Sequence, residues 1–253
     1  MTISAVIITH NEEKNILRCL LSLKFCDEIV VVDANSTDRT REIVQGFTSH
    51  VYQRDWSSFA DQRNFAKGKA TSDWILSIDA DEEVSDGLRK ELQALRLARS
   101  PSFQSYSIPR KTFHFDRWIR YGGWYPNRLV RFFHKDSGNW KGDELHEYWE
   151  SSGSVGKLNG DLLHYSFENL ADQVDRNNRY STLGAIKLGR SGVRFSVLRL
   201  GVKTVSKFIE TYFLKLGILD GYPGLIISVS ASYSVFLKWA KLWEFNLAEK
   251  KKS

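Results

Sequence analysis

The sequence predicts an α/β fold, in which a mostly parallel sheet carries helices on both faces and a helical appendage follows. The first half of the chain alternates short apolar segments with helical patterns, and the segments at residues 3–8, 28–32 and 74–78 have no polar face. Strands that are apolar on both faces belong to parallel sheets covered on both sides. From about residue 168 the pattern is helical.

The elements follow one another in a regular order. Residues 3–8 form the first strand. The helical pattern after it places Ile16, Leu20 and Leu23 on one side and begins near Asn11, a suitable N-cap. The other predicted elements are a strand at 28–32, a helix started by residues 36–38, a short strand at 51–52, a helix over 61–69, and strands at 74–78, 106–109 and 129–133.

Composition narrows the possible classes of protein. The chain has 253 residues, enough for one domain with an appendage, and its 42% hydrophobic and 26% charged residues are ordinary globular values. Two cysteines, Cys19 and Cys26, argue against a disulfide framework or a cysteine metal site. The net charge of +6 indicates an anionic partner. The N-terminus has neither a basic region nor a cleavage site, so we expect no signal peptide and a cytoplasmic location.

Polar residues follow the predicted strands immediately. His10 and Asn11 follow the first strand, Asp33 follows the second, and residues 79–82 follow the strand before them. Ligands of open α/β sheets bind beyond the carboxyl ends of the strands, so we expect these side chains to meet along one edge. Asp33 could accept hydrogen bonds from a base or a ribose there, or it could cap the next helix, which is the role we expect of Asp38.

The segment Asp79-Ala80-Asp81 carries the clearest chemistry. Two carboxylates placed two residues apart can hold Mg²⁺ or Mn²⁺ together with a diphosphate. The cation would offset the charge that builds on a departing phosphate. An isolated pair of this kind is more often a solvated turn or a helix cap. Its position directly after an apolar strand favours the metal site.

Four segments stand in a diagnostic order: Val6-Ile7-Ile8-Thr9-His10-Asn11-Glu12, Val32-Asp33-Ala34-Asn35-Ser36-Thr37-Asp38-Arg39-Thr40, Gln62-Arg63-Asn64 and Asp79-Ala80-Asp81-Glu82. This order resembles the family-2 inverting glycosyltransferases of GT-A fold. Three later segments narrow the resemblance to bacterial lipopolysaccharide core β-1,4-glucosyltransferases: Gly122-Gly123-Trp124-Tyr125-Pro126, Asp143-Glu144-Leu145-His146-Glu147 and Leu219-Asp220-Gly221. No glycine-rich phosphate motif competes with it.

The resemblance implies a site for a nucleotide-sugar donor. The implied donor-binding residues are Thr9, His10, Asn11, Glu12, Asp33, Arg63, Asp79 and Ala80. His10 replaces the tyrosine of many relatives, and either ring can stack on a base. Asp33 would contact the base, and Arg63 would approach the base or the diphosphate unless it is a surface cation of its helix. Asp81 would coordinate the metal directly, and Asp79 would contact the ribose or the metal. His164 could be a third metal ligand, although a lone histidine beside apolar residues is more often structural.

Inversion at the anomeric carbon requires a base that deprotonates the attacking hydroxyl. The resemblance places this base within residues 143–147. Glu147 is the favoured candidate, followed by Asp143 and Glu144. The alternative is a polar loop with one capping acid.

The resemblance also implies an acceptor side of the site. Trp124, Tyr125 and His146 are the expected acceptor-binding residues. Aromatic rings such as Trp124, Tyr125 and Trp140 can stack on sugar faces, but at these positions they can equally be part of a core.

The C-terminal region combines basic and apolar patterns. One helical face over residues 194–216 carries Leu198, Val202, Val205, Ile209, Tyr212 and Leu216, and a neighbouring face carries Arg199, Lys203 and Lys207. Such a helix suits an anionic membrane surface. Residues 221–237 are uncharged but short for a spanning helix, which predicts an interfacial or buried hairpin with Trp239 and Trp243 as anchors. We therefore expect peripheral attachment to the cytoplasmic face of a bacterial inner membrane. The alternative is a helix packed on the catalytic domain or on a partner subunit.

These observations predict a catalytic domain over residues 1–167, with a nucleotide-sugar half at about 1–104 and an acceptor half at about 105–167, and a helical region over 168–253. The expected activity is the inverting, metal-dependent transfer of a hexose to a lipopolysaccharide core or related glycolipid. The expected hexose is glucose, and the expected donor is UDP-glucose. Polyprenyl phosphate or another cell-surface polysaccharide is the alternative acceptor. A sugar-nucleotide nucleotidyltransferase would need a basic, glycine-rich loop in place of residues 10–13. No nucleic-acid-binding motif accompanies the positive charge, so we expect no nucleic-acid partner.

Overall fold

The computed structural model describes residues 1–98, 101–142, 147–167 and 169–252. They form two compact units. Unit 1 comprises Met1–Lys111 and Asn127–Tyr165, and unit 2 comprises Thr112–Pro126 and the residues from Ser166 onward. The boundary predicted after residue 167 lies close to the end of unit 1. The segment Thr112–Pro126 was assigned from sequence to the first domain, whereas the structure groups it with unit 2.

The secondary structure runs, in chain order, β1 Ile3–Thr9, α1 Ile16–Ser22, β2 Glu28–Asp33, α2 Thr40–Gln45, β3 Val51–Gln53, α3 Phe59–Lys69, β4 Trp74–Asp79, β5 Glu82–Val84, α4 Asp86–Leu97, β6 Ser105–His114, β7 Arg117–Trp118, β8 Asn127–His134, β9 Gly138–Lys141, β10 Tyr148–Ser151, β11 Val155–Lys157, β12 Leu162–His164, α5 Leu170–Arg190, α6 Val197–Ile209 and α7 Gly221–Lys252. A π-helical turn, Glu210–Leu214, and a 3₁₀ turn, Gly217–Asp220, connect α6 to α7.

The main sheet has the strand order β3-β2-β1-β4-β8-β6-β12-β5. Neighbours among β3, β2, β1 and β4 are parallel, whereas β8 is antiparallel to both of its neighbours. The register pairs Thr9 of β1 with Asp33 of β2, and Ile8 of β1 with Asp79 of β4. The polar residues that follow these strands therefore meet at one edge of the sheet, as the sequence predicted.

Strand β1 is buried along its whole length because both faces of the sheet are covered. Successive side chains of a strand point to opposite faces. Ile7 belongs to the hydrophobic cluster that contains Leu20 of α1, and Val6 belongs to the cluster that contains Ala66 of α3. Helices on both faces explain why the strand has no polar side, and the predicted α/β class is confirmed.

Unit 2 is built on α5, α6 and α7, with α7 packed against the other two helices. The uncharged stretch that predicted a hairpin is part of α7, a single helix of 32 residues, so the hairpin is wrong. Pro223 does not interrupt this helix, because it lies in the first turn, where a backbone N–H has no helical partner. Trp239 is buried in a cluster with Ala185 and Leu242, so it is not an interface anchor. By length and composition alone, Gly217–Lys250 is the one helical segment of the described residues that could cross a bilayer.

Asp220 joins two distant parts of unit 2. Its buried carboxylate accepts the backbone N–H groups of Arg120 at 3.2 Å and of Tyr121 at 2.8 Å. The next N–H, of Gly122, donates to the carbonyl of Lys215 at 2.8 Å. Gly122 has a φ of 66°, which glycine adopts without steric cost. The two late sequence motifs that contain Gly122 and Asp220 are thus neighbours in space, which explains why Thr112–Pro126 groups with unit 2.

Candidate active site

Hydrogen bonds join the loops after β1 and β2 at the edge of the sheet. The backbone N–H of Asn11 donates to the Ser36 hydroxyl at 2.9 Å, and the backbone N–H of Thr37 donates to the Asn11 side-chain carbonyl at 2.8 Å. The backbone N–H of Glu12 donates to the Thr40 hydroxyl at 2.8 Å. Asn11 has a φ of 53°, in the left-handed region that asparagine tolerates well. The prediction that Asn11 is the N-cap of α1 is wrong, because α1 begins at Ile16 and its N-cap is Asn15.

Asp33 is fully buried at the same edge. Its carboxylate accepts the backbone N–H of Ser36 at 2.9 Å and also the Ser36 hydroxyl, which in turn accepts from Asn11. Asp33 therefore holds the loop in shape, and its contact with a base stays a prediction. Asp38 lies one residue before Arg39, the N-cap of α2, and its Oδ1 accepts the backbone N–H of Thr40, the first residue of the helix, at 3.0 Å.

Thr9 and His10 border this edge in different ways. His10 is exposed, and its Nδ1 lies 2.7 Å from the carbonyl oxygen of Ala34, which orients the ring. Thr9 is buried, and its hydroxyl has no hydrogen-bond partner among the described residues. A buried hydroxyl without a partner is costly, and a ligand bound at this edge could supply one. Stacking of His10 on a base stays a prediction.

Two buried arginines hold Asp79. Nη2 of Arg63 lies 2.6 Å from Oδ1 of Asp79, and Nη2 of Arg131 lies 2.7 Å from Oδ2. Nη1 of Arg63 also donates to the Ser77 hydroxyl at 3.1 Å. The side chains of both arginines are almost completely buried. Arg63 is therefore not a surface cation of its helix, and its contact with a base or a diphosphate stays a prediction.

The pKa values of Asp79, Arg63 and Arg131 are set by burial and by the charges of neighbouring side chains. Burial by itself would raise the pKa of Asp79, but the guanidinium groups of Arg131 and Arg63 hold that pKa far below its ordinary value. Burial lowers the pKa of Arg63, and the neighbouring Arg131 lowers it further. Burial would also lower the pKa of Arg131, but Asp79 and Glu82 raise it above its usual value. Asp79 is thus ionised with both oxygens engaged, which favours Asp81 as the direct metal ligand.

Arg131 and Glu82 also belong to the cluster around Asp79, although the sequence predicted no role for either of them. Oε2 of Glu82 accepts the backbone N–H of Asp79 at 3.0 Å. Oε1 of Glu82 lies 3.7 Å from Nη2 of Arg131. A signal for Arg131 was present, because it is the one charged residue within the otherwise apolar run of residues 129–133 in β8. A charged residue in such a strand is rarely buried unless it is paired.

Asp81 and His164 come together where β12 pairs with β5. The register aligns His164 with Glu82, and the backbone N–H of Tyr165 donates to the Asp81 carbonyl at 2.9 Å. Oδ2 of Asp81 lies 3.2 Å from Nε2 of His164. Ala80 packs into the core, so any contact it makes with a donor would use its backbone.

The pair formed by Asp81 and His164 fits a divalent cation that shares its ligands with a substrate. Among the described residues, no three His, Cys, Asp or Glu side chains converge as a complete metal site. A cation held here would therefore complete its coordination with diphosphate oxygens and water. Mg²⁺ is commonly bound in this way, through one or two carboxylates plus substrate phosphates.

Glu147 lies beside the cluster around Asp79. Its Oε1 is 4.0 Å from Nη2 of Arg63, and its side chain is 26% exposed. Arg63 therefore lies between Glu147 and Asp79, although the two acids are far apart in the sequence. Three further predicted site residues, Asp143, Glu144 and His146, lie outside the described residues, and their roles stay predictions.

The aromatic candidates separate into two groups. Trp140 is buried against Trp149, and the guanidinium carbon of Arg63 lies 4.8 Å from the centroid of its ring, so Trp140 is part of the core. Trp124 and Tyr125 belong to unit 2 and are only partly buried. Their acceptor role stays a prediction.

The Arg131→Met variant should lower the free energy of unfolding by about 3 kcal/mol, because the carboxylate of Asp79 loses one of its two cationic partners. This is the lower end of the range for a broken buried pair, since Arg63 still neutralises one oxygen of Asp79. Urea denaturation of the two proteins measures the difference. The matched control is Arg89→Met, which removes an exposed cation paired with Asp86 and should change stability little. Equal effects of the two substitutions would contradict a stabilising role for Arg131.

Comparison with known proteins adds independent findings. Residues 4–152 match the family model described as glycosyl transferase family 2. The chain is 31% identical to an uncharacterized glycosyltransferase of Rickettsia typhi, over 97% of this chain and 88% of the relative. It is also 31% identical to the lipopolysaccharide core biosynthesis glycosyltransferase LpsC of Rhizobium meliloti, over 96% of this chain and 93% of the relative.

The fold is also similar to that of solved structures. One of them is glucosyl-3-phosphoglycerate synthase from Mycobacterium tuberculosis, in complex with Mn²⁺, uridine diphosphate and glucosyl-3-phosphoglycerate. The TM-score is 0.50 and the sequence identity 16%, with 77% of this chain and 81% of that chain covered. At this identity the likeness concerns the fold alone.

Proposed function

Because the chain belongs to glycosyl transferase family 2, we propose that it transfers glucose from UDP-glucose to a sugar of a lipopolysaccharide core or a related glycolipid, with inversion and with Mg²⁺ or Mn²⁺. The chain is a glycosyltransferase, and the predicted family and GT-A fold class are confirmed. The observation that carries the proposal is the approach of Asp81 to His164, at 3.2 Å, beyond the carboxyl end of β4. The similarity to LpsC supports the acceptor class.

In the proposed reaction, the side chains of the cluster have separate tasks. Asp81 and His164 would hold the cation, which would offset the charge that develops on the diphosphate leaving group. Glu147 accepts the proton of the acceptor hydroxyl while that oxygen attacks the anomeric carbon and the bond from this carbon to the diphosphate breaks. Arg63 and Arg131 keep Asp79 in place beside the cation site. A single displacement of this kind converts an α-linked donor into a β-linked product.

The donor is identified by hydrolysis of a panel of nucleotide sugars without an acceptor. We expect slow release of UDP from UDP-glucose in the presence of Mn²⁺ or Mg²⁺, and none from the other donors. Addition of EDTA should stop the release, because the diphosphate then loses its counter-ion. Release that continues in EDTA would contradict the metal dependence, and release from a different donor would replace UDP-glucose in the proposal.

The acceptor is identified with the donor found in this way. Core-truncated lipopolysaccharide should be glucosylated, and the new linkage should be β, as read from the coupling constant of the anomeric proton. Polyprenyl phosphate serves as the competing acceptor in the same assay. Glucosylation of polyprenyl phosphate in preference to the truncated lipopolysaccharide would overturn the proposed acceptor class, and an α linkage would overturn inversion.

A further inference from the structure

Helix α6 leaves an apolar face uncovered. None of its residues is buried, and Leu198, Val202, Val205 and Ile209 recur at the spacing that lines one side of a helix. We call these four residues the α6 face. Leu198 is 75% exposed and Val205 is 60% exposed, and the turn after the helix adds Leu214, also 75% exposed. Soluble proteins rarely leave so many large apolar side chains together in water unless the surface binds something.

The chain around the α6 face is strongly basic. Residues 191–219 contain five cations and a single acid, Glu210, which is a net charge of +4. Glu210 already pairs with Lys207 and Lys215. Arg199 and Lys203, by contrast, have no carboxylate partner within the ranges that the structure describes. Because Arg199, Lys203 and Lys207 are spaced four residues apart, the cations form a row beside the apolar face.

This combination of apolar and cationic rows decides between the possible occupants. A membrane that contains anionic lipid offers acyl chains next to negative headgroups, which matches both rows at once. A second copy of the chain, placed symmetrically on the α6 face, would bring two rows of like charge together and would be opposed by their repulsion. The charge pattern therefore favours the bilayer.

We propose that the α6 face binds the surface of an anionic lipid bilayer, with its apolar side chains at the boundary of headgroups and acyl chains and with Arg199 and Lys203 at the headgroups. This inference rests on the proposed function, because membrane binding would bring the enzyme to a glycolipid acceptor that is anchored in a bilayer. Helix α7 is apolar enough to span a membrane, but Lys241 of α7 is hydrogen-bonded to Asn178 and Ser181 of α5. Attachment is therefore assigned to α6 and not to insertion of α7.

Co-sedimentation of the full chain with lipid vesicles tests the proposal. We expect binding to vesicles of equal parts phosphatidylcholine and phosphatidylglycerol at low salt, and much weaker binding to phosphatidylcholine alone. The double variant Leu198→Asp/Val202→Asp should weaken binding at least about tenfold, because two apolar side chains lose their burial in lipid. Both positions are exposed, so the variant should fold, as checked by circular dichroism. The matched control is Leu97→Asp, at a position 85% exposed on α4 of unit 1.

Charge reversal provides the second arm of the experiment. The variant Arg199→Glu/Lys203→Glu should weaken binding about tenfold or more at low salt, and the difference from wild type should shrink as salt screens the charges. The control variant Lys24→Glu/Lys90→Glu changes two exposed cations of unit 1 and should bind like wild type. The control has the same net charge as the test variant, so it separates local from overall electrostatics.

Three outcomes overturn the proposal. In the first, wild-type protein stays in the supernatant with anionic vesicles, or the changes in α6 leave binding unaltered. In the second, the protein is a dimer by light scattering that dissociates in the Leu198→Asp/Val202→Asp variant, so that the α6 face is an interface between copies. In the third, only detergent releases the protein from vesicles, which would indicate a spanning α7. UDP release from UDP-glucose is measured without lipid, so failure of the proposed reaction and failure of membrane binding are distinguishable.

Discussion

Replacing Asp81 with asparagine is expected to abolish transfer, with a loss of kcat/KM of at least about a thousandfold. The charge stabilisation that a bound cation gives the departing diphosphate contributes several kcal/mol, and about 1.4 kcal/mol corresponds to each factor of ten in rate. An amide cannot replace the anionic ligand. Asp81 is the sensitive position because both oxygens of Asp79 are engaged by arginines, whereas Asp81 stands 3.2 Å from His164.

Two measurements test the role of Asp81. Steady-state kinetics give the loss of transfer, and calorimetric titration of UDP with and without Mn²⁺ gives the metal-dependent part of nucleotide binding, which should disappear in Asp81→Asn. The matched control is Asp86→Asn, at an exposed carboxylate in the first turn of α4, which should behave like wild type. Unchanged turnover in a folded Asp81→Asn protein would falsify the metal assignment. If Asp79→Asn alone abolishes Mn²⁺-dependent binding, Asp79 is the ligand instead.

The Glu147→Gln variant should lower kcat by a factor of about 10² to 10⁴, the usual consequence of losing a general base. Glutamine keeps the size and the hydrogen bonding of the side chain but cannot accept the proton of the acceptor hydroxyl. Affinity for UDP-glucose should stay close to that of wild type, because the base acts on the acceptor. The location of Glu147, 4.0 Å from Arg63 and beside the cluster around Asp79, supports this assignment.

The matched control for the base is Glu150→Gln. Glu150 lies three residues further along, is half exposed and pairs with Lys141, so its loss should leave kcat unchanged. Asp143→Asn and Glu144→Gln complete the comparison, and both should cost less than Glu147→Gln. If Glu147→Gln is active while one of these two variants is inactive, the base is the earlier residue. If all three are active, the base lies outside residues 143–147.

The sequence by itself determined the class of the fold and the edge at which the candidate site forms. The strand that contains Val6 and Ile7 has no polar face, and this local pattern requires cover on both sides. The aspartates at the carboxyl ends of two strands, Asp33 and Asp79, had to meet at the carboxyl edge once the strands were parallel. Both inferences depend on short stretches of chain, where apolar spacing reports burial directly.

Only the tertiary structure decided which partners the charged residues find. Arg131 reaches Asp79 across 52 residues of sequence because β8 pairs with β4, and no local pattern predicts this pairing. The same holds for Trp140, whose ring is buried and lies beside Arg63 and so belongs to the core. Helix α7 is a single continuous helix, and it packs on α5 and α6. A count of apolar residues along the sequence does not reveal this packing. Periodicity encodes whether a residue is buried, whereas its contacts depend on strand order and helix packing, which bring together residues far apart in the chain.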